Sequence, residues 1–265
     1  MSICMICGKN QKAHFSKNFN LPHLGVVDYI ICENCGFVIS KTHQEMPAEQ
    51  WNKINQEPHS YTKTVSFDLN WEFRIQKQAE IIKELYDFRL LSSKNNWVDY
   101  GCGNGELSTL VSNLCGVKVM NFDLDPCKSA DIEYLSEEQL LKQKYDFVIA
   151  TSVLEHLTRY SDLDKIFNLV SDTGTIGIHT FVSNTVPSDP NWFYLLPAHC
   201  AFHTNKSMQI LFDRYGFVFS IYNLESKMWF LFKNINNEAI ETLNSINEKE
   251  KNKYHFKFGF IDYWQ

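Results

Sequence analysis

Nine residues, Val98-Asp99-Tyr100-Gly101-Cys102-Gly103-Asn104-Gly105-Glu106, constrain this chain more than any other stretch. A short apolar run ends in an acidic residue, breaks into glycines at alternate positions, and passes into a segment with helical spacing. Glycine lacks a Cβ and reaches φ > 0 freely, so such a loop turns sharply and lets its backbone approach a ligand. The stretch reads as strand, turn and helix N-terminus. Dinucleotide-binding turns space their glycines as G-x-G-x-x-G. Here the spacing is compressed to G-x-G-x-G, with Asp99 just before it.

The second strong pattern is a pair of matching pieces, Cys4-Met5-Ile6-Cys7-Gly8 and Cys32-Glu33-Asn34-Cys35-Gly36. Each C-x-x-C offers two thiolates from one turn, and two turns supply a closed tetrahedral Zn²⁺ site. A redox C-x-x-C or an iron site is the alternative chemistry. A closed Cys₄ site leaves no position for water, so Cys4, Cys7, Cys32 and Cys35 are expected to hold a structural zinc. A module this small buries too little apolar surface to fold alone. Bound zinc contributes ~10–16 kcal/mol in comparable modules. The histidines nearby, His14, His23 and His43, read as surface residues.

The chain of 265 residues has room for one medium domain and a small module. No apolar run reaches the ~18 residues of a membrane span, so no membrane insertion is expected. The first residues lack a basic start and apolar core, so a cytoplasmic location is expected. The net charge of −6 argues against a nucleic-acid partner.

Along the chain, 26–31 and 37–39 read as strands of the cysteine module. Residues 41–61 read as a polar linker, with a helical turn near 48–54. Helical spacing over 71–91 precedes a strand at 97–100. Beyond the glycine loop, a helix, a strand at 117–122 and the near-continuous apolar strand 145–150 follow. A helix at 163–170 and a strand at 175–181 come next. Thr204 caps a helix that ends near Gly216, and strands at 217–222 and 228–232 complete the pattern. Alternating strands and helices imply a doubly wound α/β sheet with ligands beyond the strands' carboxyl ends. The expected divisions are a zinc-binding module at 1–45, a linker at 46–70, the main domain at 71–235, and a C-terminal helix and aromatic tail at 236–265.

The loop, Asp123 at the end of the second strand, and Y-D-F-V-I-A-T-S-V-L-E-H-L at 145–157 together resemble the class I S-adenosylmethionine (SAM) dependent methyltransferases. The resemblance implies a Rossmann-like methyltransferase sheet, here with a small zinc-ribbon-like module. It implies that Asp99, Gly101, Gly103 and Gly105 cradle the cofactor's amino-acid end and that Asp123 accepts the ribose hydroxyls. Leu124 and Thr151 fall beside them. Asp125 is the next carboxylate, and Asp131, Ile132 and Glu133 are candidates near the adenine. Only 23 residues separate Asp123 from Asp146, so a passage that needs a dozen or more residues per crossover is shortened. The helix before the third strand is the expected casualty, leaving a strand at 132–135. Some relatives carry E-x-x-E-H as a metal site after strand four. Ser152 replaces its first Glu here, which argues against a catalytic divalent metal at Glu155-His156.

Methyl transfer is an in-line displacement in which positioning dominates, and a hydroxyl acceptor also needs a place for its proton. Histidine suits that task, and His156, His199 and His203 lie near expected loop ends. The segment 197–204 with the helix after it is similar to the late part of small-molecule and glycan-modifying members. The long connection 183–197, carrying Asp189, Trp192, Phe193 and Tyr194, reads as a lid, in which Trp192 and Tyr194 either stack on a sugar face or cover the sheet. Cys102 and Cys200 read as packing residues. The favoured acceptor is a small molecule or saccharide, methylated on oxygen. An RNA acceptor gripped by the zinc module and sugar C-methylation are the alternatives. The aromatic tail 254–264 should be buried, on the module, the sheet edge or another subunit. The sequence sets no oligomeric state.

Overall fold

Two matching cysteine turns organise the N-terminal part of the protein, whose computed structural model describes residues 2–56, 71–92, 94, 96–127 and 131–262. In each turn a cysteine carbonyl accepts from the glycine four residues on: Gly8 N to Cys4 O at 2.9 Å and Gly36 N to Cys32 O at 3.0 Å. Gly8 and Gly36 sit at φ 71° and 72°, a region that disfavours side chains. Around these turns run β1 (Ser2–Ile3), β2 (Asn10–Leu21), β3 (Leu24–Cys32) and β4 (Val38–Ser40). Ser40 then caps α1 (Lys41–Glu45) by accepting from His43 N, and α2 (Ala48–Gln56) follows. His43 is not at the surface as the sequence suggested. It is 2% exposed, with Nε2 on Pro197 O at 3.0 Å and Nδ1 on Ser40 Oγ at 2.6 Å. The rest of the expected linker, 57–70, lies outside the described residues.

The main domain runs α3 (Trp71–Asp87), β5 (Trp97–Tyr100), α4 (Glu106–Cys115), β6 (Val119–Phe122), α5 (Glu137–Leu140) and β7 (Tyr145–Thr151). A 3-10 turn (Leu154–His156), α6 (Tyr160–Asn168), β8 (Val170–His179) and β9 (Val182–Ser183) follow. The chain closes with β10 (Ala201–Thr204), α7 (Asn205–Arg214), β11 (Phe219–Asn223), β12 (Met228–Phe232), α8 (Asn237–Lys249) and β13 (Tyr254–Phe258). The large sheet is ordered β13-β11-β12-β8-β7-β5-β6. Its β6-β5-β7-β8 half is parallel, and β12, β11 and β13 add in antiparallel succession.

Period-two alternation sorts the side chains into two layers. Trp97, Phe147, Ile149, Phe219 and Phe230 face α3, α4 and α8 through Ile82, Leu85, Val111 and Leu243. Val98, Tyr100, Val148, Ala150, Ile176 and Leu231 face the other way, onto Leu163, Phe167, Leu211 and Phe212. That second layer includes Cys4, Ile6, Phe37 and Ile39, so the cysteine module shares the main core. Truncating a ring as buried as Phe147 (0% exposed) costs about 3–5 kcal/mol.

A second sheet makes the union physical. Its order is β1-β2-β3-β4-β10-β9, with Ala201 and Phe202 of β10 paired antiparallel to Ile39 and Val38. Residues from the late segment therefore complete the cysteine module's sheet. The Thr204 cap forms as expected, as a capping box with Ser207. Thr204 Oγ1 also donates to Cys35 O at 2.5 Å. The shortened third strand is reduced to one parallel bridge, Asn121 with Tyr134, and residues 128–130 of that passage lie outside the described residues. The aromatic tail is the sheet's edge strand β13, followed by Phe260 at 1% exposure. Its Tyr263 and Trp264 lie outside the described residues.

Candidate active site

The chain turns left from β5 to β6 and right from β7 to β8, so the carboxyl ends of β5 and β7 form the sheet's switch point. Ligands in such sheets bind there. Gly101, Gly103 and Gly105 follow β5 at φ 73°, 56° and 77°. A Cβ at Gly101 would lie 2.6 Å from Val153 Cγ2, and one at Gly105 2.3 Å from Ile132 Cδ1. A Cβ at Gly103 would meet nothing within 4 Å. The loop is thus clamped at both ends and open in the middle. Asp123 stands at the end of β6, where its Oδ2 accepts from Gly103 N at 2.8 Å and its Oδ1 from Asp125 N at 2.9 Å. Asp99 lies beneath, 1% exposed, with Oδ1 lacking a partner. Burial, then the charge of Asp123, pushes its carboxyl up to about 7. Two carboxylates and an open glycine cradle suit a ligand that brings hydroxyl donors and positive charge.

Beyond β7, Ser152 adopts φ 54°, a conformation a non-glycine residue holds only where its surroundings enforce it. Its N–H donates to His179 O at 2.8 Å, and its Oγ lies 3.2 Å from His179 Nδ1. Arg74 Nη1, from α3, reaches Ser152 Oγ and His179 Nδ1, both at 3.3 Å. Burial, then Arg74, pushes the His179 imidazole down to about 3.

The 3-10 turn next places Glu155, 1% exposed. Its Oε1 accepts from Tyr194 OH at 2.8 Å, while Oε2 has no partner. Glu155 O accepts from Cys200 N at 2.8 Å, joining the turn to the late segment. His156 and His199 meet edge to face at 5.1 Å. His199 Nδ1 lies 2.9 Å from Tyr194 O. A carbonyl only accepts, so His199 carries its proton on Nδ1 and its lone pair on Nε2. Burial holds the His156 imidazole down at about 4. Burial raises the Glu155 carboxyl, but His156, His199 and further neighbours outweigh it and hold the group below its ordinary value.

The four cysteine sulfurs converge beside the end of β10, where Thr204 Oγ1 donates to Cys35 O. Cys4 Sγ is 3.7 Å from Cys35 Sγ and Cys7 Sγ 3.4 Å from Cys32 Sγ, with all four within 4.8 Å. Tetrahedral Zn–S bonds of ~2.3 Å imply sulfur separations of about 3.8 Å, so the donor set fits zinc.

Residues 71–219 match the family model described as a methyltransferase domain. The chain belongs to that family, and it is a SAM-dependent methyltransferase. No curated protein matches it in sequence. Among solved structures it is similar to a plantazolicin methyltransferase, BpumL, bound to a triazolic desmethylPZN analog and SAH, at TM-score 0.49 and 13% identity over 76% of this chain and 86% of that one. An O-methyltransferase family protein from Burkholderia thailandensis gives TM-score 0.48 and 14% identity over 71% and 69%. A SAM dependent methyltransferase from Archaeoglobus fulgidus gives TM-score 0.41 and 19% identity over 72% and 96%.

In this methyltransferase, Asp99, the three glycines, Asp123 and Thr151 gather at one end of the sheet. Leu124 is there too, 70% exposed. His156 and His199 come together. His203 does not join them: it is 1% exposed within β10, its ring 5.0 Å from Phe37. Trp192 packs on Phe181 and Phe202, and Tyr194 is buried, so both cover the sheet. The sequence reading missed Arg74 and His179. Neither carries a motif, and their meeting depends on helix α3 packing against the end of β8, 105 residues away in the chain.

Proposed function

We propose that this methyltransferase transfers the SAM methyl group to a hydroxyl of a small polar acceptor, with a sugar hydroxyl the best candidate. One observation carries the reading. A polar wall of Glu155, His156, His199 and Tyr194 stands directly after the segment that packs on the glycine loop, through Val153 against Gly101. Donor pocket and wall are therefore contiguous.

SAM supplies an electrophilic methyl on a sulfonium. Asp123 would take the ribose hydroxyls, turning from the backbone amides it now accepts. Gly101, Gly103 and Gly105 would hold the amino-acid end, with Asp99 beneath as countercharge and Leu124 and Thr151 at the flanks. Positioning contributes most to such a displacement. The acceptor's proton leaves toward the wall, where His156 and His199 present unprotonated imidazole. His203, enclosed between strands, packs the fold and takes no part.

The four cysteines hold one structural zinc ion. Through Cys35, Thr204 and β10, that ion fixes the late segment that carries His199. The chain divides into a zinc-binding module at 1–45, a linker at 46–70, the methyltransferase domain at 71–235 and a C-terminal part at 236–265, the first and third sharing one core. Among the described residues no helix is long and apolar enough to cross a membrane, and a cytoplasmic site of action is proposed.

The test is a transfer screen with methyl-labelled SAM across nucleotide sugars, glycans and RNA fragments. Label on a sugar hydroxyl is expected. Label on RNA alone would sink the sugar reading.

A further inference from the structure

We infer that Glu155, His156 and His199 bind a divalent first-row transition cation, such as Mn²⁺ or Fe²⁺. The three offer one ligand atom each, all within 4.8 Å of one another. Two polar atoms of the group are buried and without a partner, Glu155 Oε2 and His156 Nδ1. Leaving such atoms buried and unpaired is unfavourable, and a cation would relieve it. The third ligand is already aimed, because Tyr194 O holds the His199 proton on Nδ1 and leaves Nε2 free to bind. Tyr194 OH meanwhile fixes the other Glu155 oxygen. One residue thus orients two ligands, the outer-shell arrangement typical of metal centres.

Two imidazoles and one carboxylate are a borderline donor set. It favours transition cations over Mg²⁺ or Ca²⁺, which prefer oxygen. Bond lengths of ~2.0–2.2 Å require ligand atoms closer than 4.8 Å, within reach of side-chain rotation. Three protein ligands leave coordination positions open, and on the proposed reading the acceptor oxygen fills one; with the cation bound, the two imidazole lone pairs are engaged, and the cation, by making the bound hydroxyl more acidic, takes over their part in the loss of its proton. Only that last point rests on the reading. Ser152 in place of the first Glu argues in the sequence against a catalytic divalent metal at Glu155-His156; on this inference His199, 43 residues on, supplies the missing ligand.

The test uses the full chain with its cysteine-bound zinc, titrated with Mn²⁺ and followed by electron paramagnetic resonance. The inference expects one saturable Mn²⁺ per chain with hyperfine coupling to imidazole nitrogen. His199→Ala should weaken binding by at least ~10–100-fold, and Tyr194→Phe, which spares all three ligands, by ~10-fold. No saturable binding, or bound Mn²⁺ without nitrogen coupling, overturns the site. So does binding that neither variant changes. The wild-type spectrum decides even if one variant fails to fold. S-adenosylhomocysteine binding, measured in parallel by calorimetry, reports on the methyltransferase pocket separately.

Discussion

Acid should destabilise this protein through histidines that the fold keeps neutral. His43 and His203 are the cleanest cases. His43 accepts the Ser40 hydroxyl on Nδ1 and donates from Nε2 to Pro197 O, so a second proton would break the first bond. His203 is 1% exposed, with Nε2 lacking a partner. Burial, against a counter-pull from Glu155, takes His203 from 6.5 down to about 4. Burial takes His43 from 6.5 to about 4 as well, with Pro197 O opposing it and His156 reinforcing it. Above pH 6.5 both folded and unfolded states are neutral and stability is complete. Between about 6.5 and 4 the unfolded chain takes up a proton that the folded chain refuses, so stability falls with pH. Below about 4 the loss is complete. Linkage gives about 2 kcal/mol per histidine between pH 7 and pH 5, against a typical total of ~5–15 kcal/mol. Carboxylates and the cysteine site also respond in this range, so the comparison is between proteins. Urea unfolding followed by tryptophan fluorescence should show His203→Phe losing about 2 kcal/mol less than wild type from pH 7 to 5. Parallel losses within ~0.5 kcal/mol would refute the buried neutral histidine.

Further outcomes follow from the same contacts. Gly105→Ala puts a Cβ at φ 77° against Ile132; it should cost about 1–2 kcal/mol of stability, read as a lowered melting temperature, and should weaken SAM binding. Metal analysis should find about one zinc per chain. Cys35→Ser should lose it and, through the Thr204 bond to Cys35 O, slow methyl transfer; full turnover in a zinc-free variant would show that the two are uncoupled. His199→Ala should cut turnover while leaving cofactor affinity within a few-fold, since His199 lies outside the glycine loop. A matched loss of both would place it in the donor pocket.

Much of this architecture was legible because local chemistry set it. The apolar run 145–150 is buried on both faces, and Thr204 caps its helix through its own side chain. The glycine spacing and Asp123 likewise act within one strand–turn–helix unit and its neighbour. What stayed hidden depends on long-range pairing. The strand Ala201–Thr204 carries no short-range signal in the sequence, because its partner is Val38-Ile39. His43 read as exposed because its burial comes from Pro197 and Trp51, not from its own neighbours' pattern. Arg74 meets Ser152 and His179, and His199 closes onto Glu155, only once α3 and the loop before β10 pack against the ends of β7 and β8.

The central claim is that Asp123 and the glycine loop form a SAM pocket. Calorimetry with S-adenosylhomocysteine on the zinc-loaded protein tests it most directly. One molecule should bind per chain, and Asp123→Ala should weaken it by about 10–100-fold, the worth of hydrogen bonds to a charged acceptor. Absence of binding by the wild type, or equal binding by Asp123→Ala, would contradict the account.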